Sequence, residues 1–296
     1  MRIATWNVNS AKQRVERILP WLDERAPDVV CLQETKLSDA AFDEIFAAEL
    51  HSRDYEYAHV GQGQWNGVAL LSRVGLHDVT SGIPDAPGFP DIEARAVAAT
   101  CNGIRVHSLY VPNGREPDSD HYRYKLAWLA ALRDQVAQEG LDVAVCGDMN
   151  IAPTDDDVFD PNAFAGHTHV TAPERGALRE LTDLGLRDVV RDRWPDDQVY
   201  SYWDYRAGMF HKNLGMRIDL ILLGDTVADR VAAAWVDRKA RKGTRPSDHA
   251  PVIVDLDTAP DGNVGPMVPP PSNPSRGGKV RLPQADAAQA TNPKGS

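Results

Sequence analysis

The sequence predicts an α/β sandwich, two packed mixed sheets flanked by helices, over about residues 1–257. Apolar runs rich in β-branched residues alternate with stretches of helical periodicity, as in a domain that layers helices on sheets. Several of those runs follow one another across a short turn, which favours antiparallel neighbours over an all-parallel sheet. Four of five short polar motifs close an apolar run and the fifth opens one, so the strand ends carry the chemistry.

Element by element, residues 2–8 read as a strand and 12–25 as a helix, with Val15, Ile18, Leu19 and Leu22 on one stripe and Pro20 placed to kink it. Residues 28–33 are a buried strand and 39–50 a helix carrying Phe42, Ile45 and Phe46. Strands follow at 55–60, 67–72, 94–101 and 104–110. A long helix at 119–138 places Tyr122, Leu126, Leu129 and Leu132 on one stripe. A strand at 142–146, a helix at 174–184 and strands near 199–203, 217–223, 230–236 and 250–255 complete the domain. From 258 the chain turns rich in proline and glycine and reads as a disordered tail, 258–296, with no role or with a weak DNA-tethering one.

The net charge of −11 argues against a nonspecific nucleic-acid coat, although part of that acid belongs to a site. Residues 259–296 carry a net +2, leaving −13 on the rest. No apolar run is long enough to span a membrane, and Met1-Arg2-Ile3-Ala4 leads straight into a strand, predicting no signal peptide. Cys31, Cys101 and Cys146 each lie inside an apolar run without metal-ligand spacing, which predicts buried free thiols in a reducing, cytoplasmic compartment.

The polar motifs are Trp6-Asn7-Val8-Asn9, Gln33-Glu34-Thr35-Lys36, Tyr110-Val111-Pro112-Asn113, Gly147-Asp148-Met149-Asn150 and Ser247-Asp248-His249. A buried strand that ends in a carboxylate or carboxamide is costly unless that group is paired or metal-bound. Five such ends predict one oxygen-rich site at one edge of a sheet, suited to Mg²⁺-assisted cleavage of a phosphate ester. Glu34 is the candidate metal ligand; the plain alternative is a carboxylate paired with Lys36. Asn7 and Asn9, two apart, can steer a carboxylate or a metal-bound water, or simply cap a turn. Asp148 can deprotonate water that Asn150 holds. His249 can bind a phosphate if a carboxylate orients it, and Asp219, an acid set into Ile218 to Leu223, is the candidate; the alternative is a buried salt bridge to a nearby arginine. Tyr110 and Asn113 can grip phosphate oxygens, or sit at a core rim. The other histidines, His167 and His169 included, read as structural or surface residues, and Asp155 to Asp157 as a solvated loop.

With these motifs in order, the chain resembles the exonuclease III / AP endonuclease family of the endonuclease–exonuclease–phosphatase superfamily. The matching segments are TWNVNS (5–10), LQETKL (32–37), WNGVALLS (65–72), LYVPNG (109–114), GDMNIAPTD (147–155), YSYWDYR (200–206), GMRIDLILL (215–223) and SDHAPV (247–252). The resemblance implies a four-layer α/β sandwich and hydrolysis of DNA phosphodiesters with Mg²⁺, or Mn²⁺ in its place. It implies Glu34 as metal ligand with Asn7 and Asp248, and Asp148, Asn150, Tyr110, Asp219 and His249 as catalytic residues, with either Asp148 or Tyr110 as the base. Substrate would be held by Asn9, Asn113, Arg115, Tyr202, Trp203 and Met216, the last three at the family's pocket for an extrahelical abasic sugar. Members of the family vary where Met216 stands, with an aromatic residue common in some, so the balance between abasic-site incision and 3′–5′ exonuclease action is open. The expected enzyme is a monomeric repair nuclease acting on double-stranded DNA with abasic sites or damaged 3′ ends. A phosphatase for a non-DNA ester and an inactive DNA-binding module are the competing readings, the latter weakened because every site residue is present.

Overall fold

The computed structural model describes residues 1–260 and 265–267. Among the described residues twelve strands form two six-stranded sheets. The first contains β1 (Arg2–Asn7), β2 (Val29–Gln33), β3 (Glu56–Gln62), β4 (Trp65–Ser72), β11 (Val231–Val236) and β12 (Val252–Leu256), in the order β11-β12-β1-β2-β4-β3. The second contains β5 (His77–Ser81), β6 (Ala96–Cys101), β7 (Ile104–Tyr110), β8 (Val143–Asp148), β9 (Leu186–Asp188) and β10 (Asp219–Gly224), in the order β5-β6-β7-β8-β10-β9. Each sheet holds one parallel pair at its centre, β1 with β2 and β7 with β8, and antiparallel neighbours outside it.

Period-two alternation builds the layers. Val29 and Cys31 of β2 face the second sheet, in a core with Val106, Ala144, Cys146 and Ile221. Val30 and Leu32 face the other way, onto Ile18 and Leu22 of helix Val15–Arg25 and Phe42 and Phe46 of helix Asp39–His51. On the far side, Val143, Val145, Leu220 and Leu222 pack against Trp128 and Leu132 of helix Asp120–Val136 and Leu178 and Leu181 of helix Ala172–Thr182. The result is helix, sheet, sheet, helix: the four-layer sandwich expected. All three cysteines are free and buried, as expected.

Several boundaries differ from the sequence reading. Helix Val15–Arg25 runs unbroken through Pro20, with its first turn, Lys12–Arg14, tightened to 3₁₀. The run near 199–203 is not a strand: Tyr202 alone makes isolated bridges, to Met216 and His249, and its neighbours bond to loops. The edge strands β5 and β9 escaped the reading because β5 is exposed on every residue and β9 is three residues long. The segment expected to form a tail lies mostly outside the described residues. Its described part stays on the body, where Pro266 accepts a hydrogen bond from the Val236 N–H and Met267 is buried.

Gly147 permits the close approach of β8 to β7. A Cβ there would meet the Leu109 carbonyl oxygen at 2.0 Å, an overlap that only a backbone shift relieves. Gly147→Ala is therefore expected to lower stability by about 3 kcal/mol, read as a lower urea midpoint at unchanged m-value. A midpoint equal to wild type would show that β7 and β8 are not so constrained.

Candidate active site

The polar motifs meet at one end of the seam between the two sheets rather than at the edge of one sheet. Register explains this. In the second sheet Tyr110 and Asp219 both lie level with Asp148, on the strands either side of it. In the first sheet Asn7 lies level with Gln33, one residue before Glu34. Two parallel pairs ending at the same face thus deliver four of the expected residues from four strands.

Asn7 joins them. Its Nδ2 donates to Glu34 Oε1 at 2.8 Å and to Asp148 Oδ2 at 2.9 Å. Its Oδ1 accepts the Asn9 N–H at 3.0 Å. Beyond Asn7 the chain leaves the strand, with Asn9 and Ser10 at positive φ, and the two amides serve different acids. Asn9 donates to Asp248 Oδ1 at 3.0 Å and accepts from Lys36 Nζ at 2.7 Å. Lys36 also pairs with Glu34 Oε2 at 2.8 Å, so Glu34 has the lysine partner and the site position together. Burial opposes the Glu34 charge, but Lys36 and the Asn7 amide hold its carboxyl below the usual carboxylate range.

Asp148 accepts the Asn150 N–H at Oδ1, 2.9 Å, and faces His249 Nε2 at 3.9 Å from Oδ2. Burial, with Asp219 and Glu34 close by, raises it to about 7 against the pull of His249. Asp219 accepts from Ser201 Oγ at 2.6 Å and faces His249 Nδ1 at 2.8 Å, both at Oδ2. An ionised carboxylate has no proton to give, so Nδ1 carries the hydrogen and Nε2 is turned to Asp148. Burial opposes the imidazolium, yet Asp219, Asp148 and Asp248 outweigh it and raise His249 to about 10. The arginine alternative for Asp219 fails, because Arg217 pairs with Asp157 and Asp188 while the charged partner of Asp219 among the described residues is His249.

The Tyr110 hydroxyl is pushed well above its ordinary value by burial and by Glu34 and Asp148, so it is a phenol at neutral pH. Asn150, at φ 51°, donates its Nδ2 to the Val111 carbonyl at 2.9 Å and accepts from Asn113 Nδ2 at 3.2 Å. Arg115 is exposed, and its N–H donates to Asn113 Oδ1 at 3.2 Å. Of the expected abasic-sugar pocket, only Tyr202 offers surface, its ring 4.9 Å from that of His249. Trp203 is fully buried against Phe210, and Met216 is buried with Val158 and Phe164. Beside Asn9 opens a cavity of about 440 Å³ lined by Ser10, Gln13, Arg14, Lys36, Gln64 and Tyr205.

The sequence reading missed Ser201, which orients Asp219, and the buried Lys125 and Glu174 beneath Asn150. It also set His169 aside, whose Nδ1 lies 2.5 Å from the Asn150 carbonyl oxygen.

Hard oxygen donors converge here. Asp148, Asp219 and His249 offer ligand atoms within 4.8 Å of one another. Asp219 Oδ1 is buried with no hydrogen-bond partner among the described residues. A buried anionic oxygen left unpaired is costly, and a bound cation would satisfy it. The donor set fits a hard divalent ion better than a soft one, since it includes no thiolate.

The profile of the endonuclease/exonuclease/phosphatase family matches residues 4–249. The chain belongs to that family. Its fold and its motif order agree with the exonuclease III / AP endonuclease branch. The chain is 28% identical over 259 residues to the exodeoxyribonuclease of Bacillus subtilis, covering 85% of this chain and 98% of that one. Among solved structures, an AP endonuclease from Archaeoglobus fulgidus superposes with a TM-score of 0.82 at 36% identity, covering 87% of this chain and all of that one. A 3′–5′ exonuclease from Neisseria meningitidis gives a TM-score of 0.82 at 39% identity over the same shares. A further structure describes the Neisseria protein as a 3′ phosphatase bound to a product DNA hairpin.

The Asp219–His249 pair sets a pH expectation for the metal-free protein. A raised folded-state pKa stabilises fully below the free-imidazole value of 6.5, and that contribution is lost as pH rises through about 10. In Asp219→Asn the His249 ring should titrate lower than in wild type, because the acid that raises it most is gone while burial still opposes the charge. NMR titration of the His249 ring protons reads this directly; an unchanged midpoint would remove Asp219 as its partner.

Proposed function

We propose that this chain is a metal-dependent DNA-repair nuclease that cuts the phosphodiester 5′ to abasic sites and trims 3′ ends of double-stranded DNA. One observation carries the reading: Asp148 is held at once by Asn7, Asn150 and the His249–Asp219 pair, with Glu34 on the same Asn7 amide. This supports reading Asp148 as base, Asn150 as water-holding amide, His249 as phosphate-binding cation and Glu34 as metal carboxylate around one reacting centre. The similarity to the exodeoxyribonuclease of Bacillus subtilis and the AP endonuclease of Archaeoglobus fulgidus supports DNA as the substrate.

In this reading Glu34 and Asn7, with Asp148 and the unpartnered oxygen of Asp219, would hold Mg²⁺ or Mn²⁺. When bound, such an ion would neutralise charge on the phosphate and the departing 3′-oxygen. Asp148, near its ionisation point at neutral pH, takes the proton of the attacking water. Asn150 fixes that water. Cationic His249 binds a phosphate oxygen and stabilises the charge that grows on it. Tyr110, a phenol in the metal-free site, donates to the phosphate. Asn113 and the exposed Arg115 face the backbone of the DNA, and the cavity beside Asn9, with Arg14 and Lys36 on its wall, accepts a flanking strand. Asp248 acts through Asn9 and by its charge on His249.

A narrower reading, 3′-end processing with little abasic-site incision, has one observation in its favour: Trp203 and Met216 are buried and leave Tyr202 as the surface beside His249. The test is product analysis on three duplexes, bearing an internal abasic site, a recessed 3′-hydroxyl end and a 3′-phosphate end, each with Mg²⁺ and with EDTA. Mg²⁺-dependent cutting 5′ to the abasic site together with 3′ processing is expected. Processing of the two ends alone would select the narrower reading, and inertness on all three would reject DNA as substrate. Asp148→Ala should lose about 10²–10⁴-fold in turnover while binding the abasic duplex as wild type does. Near-normal turnover would remove it as the base.

A further inference from the structure

We propose that Lys125 and Glu174 are positioning residues for hydrolysis: a fully buried ion pair that fixes the Asn150 turn and, through it, the amide that holds the attacking water. This rests on the nuclease reading above. Lys125 lies on the inward face of helix Asp120–Val136, between Tyr122 and Trp128, and Glu174 in the first turn of helix Ala172–Thr182. Both side chains are wholly buried.

The hydrogen bonds of the pair are aimed at the site. Lys125 Nζ donates to Glu174 Oε1 at 2.5 Å, to the Asn150 carbonyl at 2.8 Å and to the Asn113 carbonyl at 3.4 Å, which uses all three ammonium protons. Glu174 Oε1 also accepts from Thr168 Oγ1 at 2.7 Å and the His169 N–H at 3.0 Å. Its Oε2 accepts from Thr171 N and Oγ1 at 3.1 and 2.6 Å. The loops carrying Asn113, Asn150 and residues 168–171 therefore hang on one charge pair.

Asn150 needs such a hold. It is a non-glycine residue in the left-handed region, φ 51°, and it persists there because its N–H, its amide and its carbonyl are all tied. Lys125 is the tie on the carbonyl that comes from outside the loops. A buried ion pair adds little net stability over an apolar pair of similar volume, so stability alone does not account for a lysine here. Neither residue reaches Asp148, His249 or Glu34, so the pair works by placing Asn150 and Asn113.

The test is a double-mutant cycle with the full-length protein on a recessed 3′-end duplex. Lys125→Met combined with Glu174→Gln leaves no lone buried charge, and it is measured in the wild-type and Asn150→Ala backgrounds. In the wild-type background kcat should fall on the order of 100-fold, with KM within about 2-fold. In the Asn150→Ala background the same change should cost less than about 3-fold, because the placement it supports is already lost. Equal losses in both backgrounds, or no loss in the first, would overturn the proposal. Lys125→Arg keeps the charge and displaces the donors from the two carbonyls, so it answers the same question if the first variant does not fold. A wild-type protein inert on DNA would defeat the nuclease reading itself, whereas an Asn150→Ala protein as fast as wild type would leave that reading standing and overturn the pair's role.

Discussion

One carboxamide ties the two halves of this molecule together. Asn7, at the end of β1, donates both of its amide protons, one to a carboxylate of its own sheet and one to a carboxylate of the other. The two acids are thereby held as neighbours across a seam that is apolar along most of its length. Nearby, buried Gln33 reaches across the same seam to Ser108, whose hydroxyl donates back to the Leu32 carbonyl. Buried polar groups are tolerable only when paired. At this end of the sandwich they are paired with each other, leaving Asp219 Oδ1 as the open valence.

That constraint explains the electrostatics. Asp148, Asp219 and Glu34 cannot all be buried and charged without cations, and the described chain supplies His249 and Lys36. His249 is held as an imidazolium by the acids around it, and Asp148 is left poised between charged and neutral. A divalent ion entering the cluster would shift that balance toward the ionised acids, coupling metal binding to proton release. The same burial that makes the cluster costly without metal would strengthen its action on a bound substrate, since charges act more strongly where water is excluded.

The four layers and most of the site were legible in the sequence, for physical reasons that can be named. β2, Val29–Gln33, alternates between two buried faces, and the acid that follows it has no apolar role to play. Asp148-Met149-Asn150 closes a run in the same way. Asp219 stood out because an acid at the head of Leu220 to Leu223 must have a partner, and the partner is His249. Hydropathy could not show Lys125. A helix stripe is read from its apolar residues, and a lysine on that stripe looks like an exposed interruption. The signal that was there is Thr171-x-x-Glu174, a capping box whose glutamate also closes the buried pair. Trp203 and Met216 illustrate the converse. Their motifs place them near the site, but only packing decides that one lies under Phe210 and the other beside Phe164.

We infer that Glu34 and Asp148, joined by Asn7, form one metal-binding reaction centre. The most direct measurement is Mn²⁺ binding followed by electron paramagnetic resonance, alongside single-turnover cleavage of DNA, in wild type and Glu34→Gln. Both signals should be lost together in the variant, with its fold intact by circular dichroism. A Glu34→Gln protein that binds Mn²⁺ with wild-type affinity and cleaves at the wild-type rate would contradict it.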